Sequence, residues 1–413
     1  MRDWRKAIRT PISYSVPGSS SNLIRQQTNF VSFVIITGTF VLLTIYIFAP
    51  ISSTRSSALE DEHGHQHERP VQCKLSNEAE SIPYNNTYPL TSIETLDDGR
   101  LKYRLAVVAD LDKKSRQANK GDKWISYMLY GELIFDPYTT NAQLKWDADE
   151  LKLSSDFSSG GRGMELSDLV VFNGHLYTCD DRTGIVYEVQ DKQLIPWVIL
   201  RNGNGQNSPK GFKCEWMLVK DEYLYVGGLG KEWTSPSGDV VLNHDPQWVK
   251  RISPNGHVEH IDWRPRYLEL LRTAGIDPPG YLIHEAAVWS SKNKQWYFLP
   301  RRASKESYND ELDEQRGTNI LLSADESFNT LNLTQNVGPL LPTHGFSSVK
   351  LVPLPREVKL NPSGSEIAIA LKSEEDKNLI STYATVLRLP DGHVILPEMK
   401  ISSKHKYEGV EFI

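Results

Sequence analysis

From about residue 100 to the C-terminus the chain is a succession of short apolar runs broken by polar pairs. The clearest unit lies at 161–184. Ser167 stands before the run Leu169-Val170-Val171-Phe172. Asn173-Gly174 is a strong hairpin-turn signal, and Leu176-Tyr177-Thr178-Cys179 returns to Asp180-Asp181-Arg182. An oxygen-bearing side chain thus heads a predicted hairpin, and a charged cluster leaves it. Glu215 heads a second copy, with Asp221-Glu222 at the turn and Gly230-Lys231-Glu232 at the exit. Glu285 heads a third, with Lys292-Asn293 at the turn and Arg301-Arg302 at the exit. Ser347 heads a fourth, which leaves through Lys372 to Asp376 after a longer excursion. Glu408 heads a fifth, and there the chain stops.

The fifth copy lacks its second strand, and the run Arg104 to Ala109, exiting at Asp110-Leu111-Asp112, supplies one. The heads recur at roughly 50 to 70 residues, the length of a four-stranded sheet with long loops. The pattern predicts an all-β fold: a five-bladed β-propeller closed by pairing N- and C-terminal strands. Closure of this kind leaves no exposed sheet edge. The 27 glycines and 23 prolines agree with many short strands. A length of 413 residues would allow two or three domains, but the repeat argues for one large one, at 89–413.

The N-terminal part follows another pattern. Residues 1–29 are polar and basic, and the uncharged run Phe30 to Ala49 follows. At about 1.5 Å per residue that run is about 30 Å long as a helix, the thickness of a bilayer core. It predicts an N-terminal transmembrane signal anchor at 30–49, with a cytoplasmic tail at 1–29 and a lumenal stalk at 50–88. A cleaved signal peptide is the rival, although Pro50-Ile51-Ser52-Ser53 offers no clear cleavage site. His63, His65 and His67 in the stalk read as solvated linker. Asn85 and Asn332 open glycosylation sequons, which suits a lumenal domain.

Net charge −6 argues against nucleic acid as a partner. The three cysteines are too few for a disulfide framework, and Cys179 and Cys214 read as small buried apolar groups whose pairing the sequence does not decide.

In a propeller the innermost strand of each blade lines the central channel, so equivalent positions face one another. Here they are Ser167, Glu215, Glu285, Ser347 and Glu408. Three carboxylates converging in a narrow channel repel, and a cation between them relieves this. Five oxygen donors without sulfur or histidine suit Ca²⁺ rather than Zn²⁺ or Mg²⁺. The exits add Asp110, Asp112, Asp181, Arg182, Lys231, Glu232, Arg301 and Arg302 at one mouth, and Arg162 leads toward the first ring position. Arginine and lysine beside a divalent cation are what phosphate recognition needs, and a carboxylate there can take a proton from water. Gly227-Gly228-Leu229-Gly230-Lys231 lacks P-loop spacing, and neither a GxSxG elbow nor an HExxH motif is present.

The segments GRGMELSDLVVFNG, DDRTG, GFKCEW, YVGGLGKEWT, PPGYLIHEAAVWS, FLPRRAS, PTHGFSS, ALKSEED and KYEGVEFI resemble those of the calcium-activated nucleotidases, the calcium-activated apyrase family, from about Tyr84 to Ile413. The resemblance implies a five-bladed propeller with Ca²⁺ in its cavity that hydrolyses nucleoside di- and triphosphates to release phosphate. It implies Ser167, Glu215, Glu285, Ser347 and Glu408 as ligands. It places Asp110, Asp112, Arg182, Glu232 and Arg301 around the nucleotide, with water attack at the terminal phosphorus and Asp110 as first choice for proton acceptor. Together with the topology it implies removal of UDP or GDP in the ER or Golgi lumen, in support of glycosylation. A homodimer stays open. So do a released apyrase acting on extracellular ATP and ADP, and a Ca²⁺-stabilised binding propeller without turnover.

Overall fold

The computed structural model describes residues 83–413 apart from 118–122, 207 and 377–378. The expected tail, anchor and most of the stalk lie outside the described residues. No helix among the described residues is long and apolar enough to cross a membrane. Glu80–Ile413 is one compact unit.

Five antiparallel sheets of at least four strands make up this unit. Blade 1 runs, from the channel outward, Lys406–Phe412, Leu101–Asp110, Lys123–Asp136 and Asn141–Ser155. The other four take their strands in sequence order, beginning at Leu166–Phe172, Trp216–Lys220, Ala286–Ser290 and His344–Leu351. The predicted closure is present: Leu105 pairs with Phe412 and Asp110 with Lys406. Every inner strand is almost wholly buried, because one face meets each neighbouring blade and the edge faces the channel.

Local chemistry accounts for the hairpins. Asn173 and Gly174 sit at φ 50° and 76°, the left-handed pair that tight hairpins require. Asp221 and Glu222 do the same at φ 51° and 63°, without a glycine. The fourth-blade turn is longer than the pair Lys292-Asn293 suggested: Ser290 pairs with Gln295, and Lys294 takes the left-handed conformation at φ 53°.

Two features were not expected. A helix, Arg264–Thr273, buries Tyr267, Leu270 and Leu271 against an aromatic cluster containing Trp216, Trp263, Trp296 and Phe298. Cys179 and Cys214 are bonded to each other, a pairing that the sequence left undecided. Both are fully buried as expected. Their Cα atoms lie 6.5 Å apart because Cys179 is the next-to-last residue of the second strand of blade 2 while Cys214 leads into blade 3. Only the juxtaposition of two blades makes them neighbours.

Candidate functional site

An antiparallel hairpin brings the end of its second strand beside the start of its first. Asp180 therefore pairs opposite Leu166, Gly227 opposite Trp216, Leu299 opposite Ala286, and Glu374 opposite His344. This register gathers the five heads and their charged exits at one end of the channel.

Three heads sit at β-bulges. The pairing slips past Ser167 between Leu166 and Asp168, and past Ser347 between Phe346 and Ser348. Opposite Val108 and Ala109 the partners jump from Gly409 to Tyr407, which leaves Glu408 unpaired. A bulge re-aims a residue out of the pleat, a common device beside active sites. Glu215 and Glu285 stand one residue ahead of their strands. All five are buried, none more than 7% exposed.

The ring carries more negative charge than its immediate partners relieve. Glu215 is paired with Lys213 at 2.6 Å. Burial, with Glu285 and Asp181 adding repulsion, nevertheless pushes its carboxyl up to about 8. Burial, together with Asp110 and Glu285, holds Glu408 well above the usual carboxylate range despite Lys406 and Arg301. Arg301 bridges two ring positions, donating to Glu285 and, at 2.7 Å, to Glu408. Its other nitrogen reaches Glu375 at 2.6 Å. The Ser347 hydroxyl accepts from Ser373 at 3.1 Å. Oxygen-only donors in carboxylate excess fit a hard cation of the Ca²⁺ type.

Beside the ring opens a cavity of about 460 Å³. Asp110, Asp112, Arg182, Lys231, Arg301 and Arg302 all line it, as the repeat required. Glu232 does not: its carbonyl accepts from Lys231 Nζ at 2.7 Å, and its carboxylate is not part of the wall. Arg162 faces an adjoining cavity of about 500 Å³ that shares Asp110, Asp112, Arg182 and Lys406 with the first. Asn85 and Asn332 are exposed and line neither cavity: Asn85 lies against the Asn173-Gly174 turn, and Asn332 is in the outermost strand of blade 4.

The sequence reading missed several wall residues. Lys406 Nζ reaches Asp110 at 2.9 Å, Glu375 at 2.8 Å and Asp112 at 3.2 Å. Lys213 donates to Asp181 as well as to Glu215. A signal existed: Lys213-Cys214-Glu215 and Lys406-Tyr407-Glu408 both put a lysine two residues before a ring carboxylate. Glu165, fully buried, accepts from Arg162 Nε at 2.6 Å and Arg182 Nε at 2.8 Å, so it aims both guanidinium groups. Asp110, Asp112 and Glu165 bring carboxylate oxygens within 4.8 Å of one another, but Arg162, Arg182 and Lys406 already neutralise that trio.

Other lining residues have a different character: Leu229, Trp233, Leu242, Ile283 and Tyr308. Lys231 Nζ lies 4.3 Å from the Tyr308 ring centroid, and burial lowers its pKa. The lining therefore offers both cations for an anionic group and apolar rings for a flat one.

A closed five-bladed propeller with a carboxylate ring and a cation-lined cavity defines an anion-binding, metal-competent propeller. The Apyrase family profile matches residues 111–413, and the chain belongs to that family. It is 50% identical over 330 residues to soluble calcium-activated nucleotidase 1 of Rattus norvegicus, covering 80% of this chain and 78% of the relative. Apyrase apy-1 of Caenorhabditis elegans is 41% identical over 341 residues, 82% of this chain and 91% of the relative. The apyrase of Cimex lectularius is 41% identical over 330 residues, 80% of this chain and 87% of the relative.

Proposed function

We propose that this protein is a Ca²⁺-dependent nucleotidase that hydrolyses nucleoside di- and triphosphates and releases phosphate. The observation that carries the reading is the ring of Ser167, Glu215, Glu285, Ser347 and Glu408 beside a wall of Arg182, Lys213, Lys231, Arg301 and Lys406. The names of the relatives, a calcium-activated nucleotidase and an apyrase, support both the metal and the substrate class.

The ring residues would hold Ca²⁺, which when bound supplies positive charge and Lewis acidity for phosphate oxygens and water. The rest falls to the chain. Arg182, Arg301 and Lys406 are placed to hold phosphate oxygens, each pre-oriented by a buried carboxylate. Asp110 is the preferred acceptor for the proton of the attacking water, fixed by Lys406 and by the Asp112 N–H at 2.7 Å. Asp181 is the second candidate, because its Oδ1 is buried without a hydrogen bond. The apolar wall at Trp233 and Tyr308 suits the nucleobase.

A type II topology, with 30–49 in the membrane and the propeller in the ER or Golgi lumen, remains part of the proposal. The Cys179–Cys214 bond suits an oxidising compartment. Exposed Asn85 and Asn332 are available for glycosylation. In that setting UDP and GDP left by sugar transfer are the natural substrates, and their removal supports glycosylation and proteoglycan synthesis.

The test is phosphate release from UDP, GDP, ADP and ATP by the full-length protein in detergent, with Ca²⁺, with Mg²⁺ alone and with chelator. Release is expected with Ca²⁺ and with UDP or GDP preferred. A preference for ATP and ADP would move the protein to the extracellular reading. No release by a folded, Ca²⁺-binding protein would leave a binding propeller.

A further inference from the structure

The inner strands carry a second buried polar layer that this chemistry does not use. Asp168 is 1% exposed and Lys350 4%. Asp168 Oδ2 accepts from the Met217 N–H at 2.8 Å and from Lys350 Nζ at 2.9 Å, and Oδ1 accepts from the Ser348 hydroxyl at 2.9 Å. Lys350 Nζ also donates to the Met217 carbonyl at 2.8 Å. Ser348 Oγ in turn accepts from the Val410 N–H at 3.3 Å. Gly409 lies against the same group, where a Cβ would come within 2.6 Å of Asp168 Cα.

Each member is a near neighbour of a ring position. Asp168 follows Ser167, Met217 follows Glu215 by two, Ser348 follows Ser347, and Gly409 and Val410 follow Glu408. The layer therefore touches four of the five blades. Blade 4 contributes no member, and its ring residue Glu285 is held from the side by Arg301.

Stability alone is a weak reason for such a layer. A buried ion pair adds little over well-packed apolar residues of the same volume. What an apolar pair cannot do is bond to a neighbour's backbone at one register. Here Met217 is held at both N–H and C=O, and Val410 at its N–H. Residues behind metal ligands orient those ligands, and their loss weakens metal binding by about 10- to 100-fold.

We propose that Asp168, Lys350 and Ser348 are positioning residues for the central cation site, locking four inner strands in the register that converges Ser167, Glu215, Ser347 and Glu408. The inference rests on the Ca²⁺ reading above.

The test is calorimetric titration of CaCl₂ into the full-length protein in detergent, beside thermal denaturation in chelator. The variants are Ser348→Ala, Lys350→Met and the pair Asp168→Asn with Lys350→Met. Lys250→Met is the comparator: that lysine is also fully buried, but it donates to the Gly203 carbonyl from the third strand of blade 3. Ser348→Ala and Lys350→Met should raise the Kd for Ca²⁺ by about 10- to 100-fold. Lys250→Met should lower the melting temperature and leave Kd within about twofold. If Lys350→Met fails to fold, Ser348→Ala decides, since it removes one hydroxyl and no charge. Ser348→Ala with a wild-type Kd overturns the inference, and so does equal weakening by Lys250→Met. A wild-type protein that binds no Ca²⁺ overturns the functional reading and this inference with it.

Discussion

The ring and the layer behind it are built on neighbouring residues of the same strands, yet they treat charge in opposite ways. In the layer every charged atom has its partner: Asp168 accepts three hydrogen bonds, and Lys350 meets both Asp168 and a carbonyl. Burial raises the carboxyls at both levels, Asp168 included, but in the ring Glu215 is also repelled by Glu285 and Asp181, and Glu408 by Asp110 and Glu285, although Lys213, Lys406 and Arg301 stand beside them. A fully satisfied buried network specifies a unique packing. A carboxylate excess opposes folding unless a cation offsets it. A shift of one or two residues along a strand thus separates structural from functional use of the same chemistry.

The largest effect expected at the ring is from Arg301→Ala. It strips the shared partner from Glu285, Glu408 and Glu375 and leaves buried charge uncompensated. A loss of about 3–5 kcal/mol is expected in denaturant unfolding monitored in chelator. A loss below about 1 kcal/mol would show that the ring relaxes without it.

Glu215→Gln separates function from stability. Phosphate release should fall by about a hundredfold or more, while the melting temperature in chelator does not fall, because burial already holds the Glu215 carboxyl toward its neutral form when no cation is bound. A less stable but active variant would reverse the contrast between the two levels.

Replacing Cys179 and Cys214 by alanine should lower stability by about 2–4 kcal/mol, read as a drop in melting temperature. Full activity below that temperature would show that the bond joins blades 2 and 3 without shaping Glu215, its neighbour in sequence.

The last effect, smallest at any one step of pH, concerns Asp180, outside the ring. Burial, with Asp181 adding repulsion, pushes its carboxyl up to about 7 although it accepts from Met164 N–H, Arg182 N–H and the Thr183 hydroxyl. A folded pKa above the unfolded one means that the folded state holds the proton more tightly. Its contribution is then greatest below about pH 4 and is lost as pH rises toward about 7. Asp180→Asn should therefore gain on the wild type by on the order of 1 kcal/mol per pH unit across that window, measured by denaturant unfolding. A pH-independent difference would mean that Asp180 is charged throughout.

Much of the fold was legible because its signals are local. Asn173-Gly174 and Asp221-Glu222 announce hairpins through backbone conformations that few residues tolerate. The lone C-terminal strand and the spare run at 104–109 announced closure because an unpaired strand in a repeat needs a partner. The helix at Arg264–Thr273 was not legible, since its buried residues meet tryptophans from other segments rather than a strong local pattern. In the site, Asp110, Arg182 and Arg301 came from their place in the repeat. Glu232 came from the same place, yet its side chain leaves the wall, because register sets where a residue sits and not where its side chain ends. Glu165 passed unnoticed because its importance lies in Arg162 and Arg182, which approach it only in three dimensions.

The sequence by itself determined the alternation of strands, the turns, the closure and the five oxygen-bearing heads. Each depends on residues close in the chain or on a repeated offset. Only the tertiary structure decided that Lys406 meets Asp110, that Cys179 meets Cys214, and that Asp168 meets Lys350. These contacts join residues far apart in sequence, and their partners are selected by the rotation of one blade against another. That rotation comes from packing whole sheets together, a quantity that no short stretch of sequence encodes.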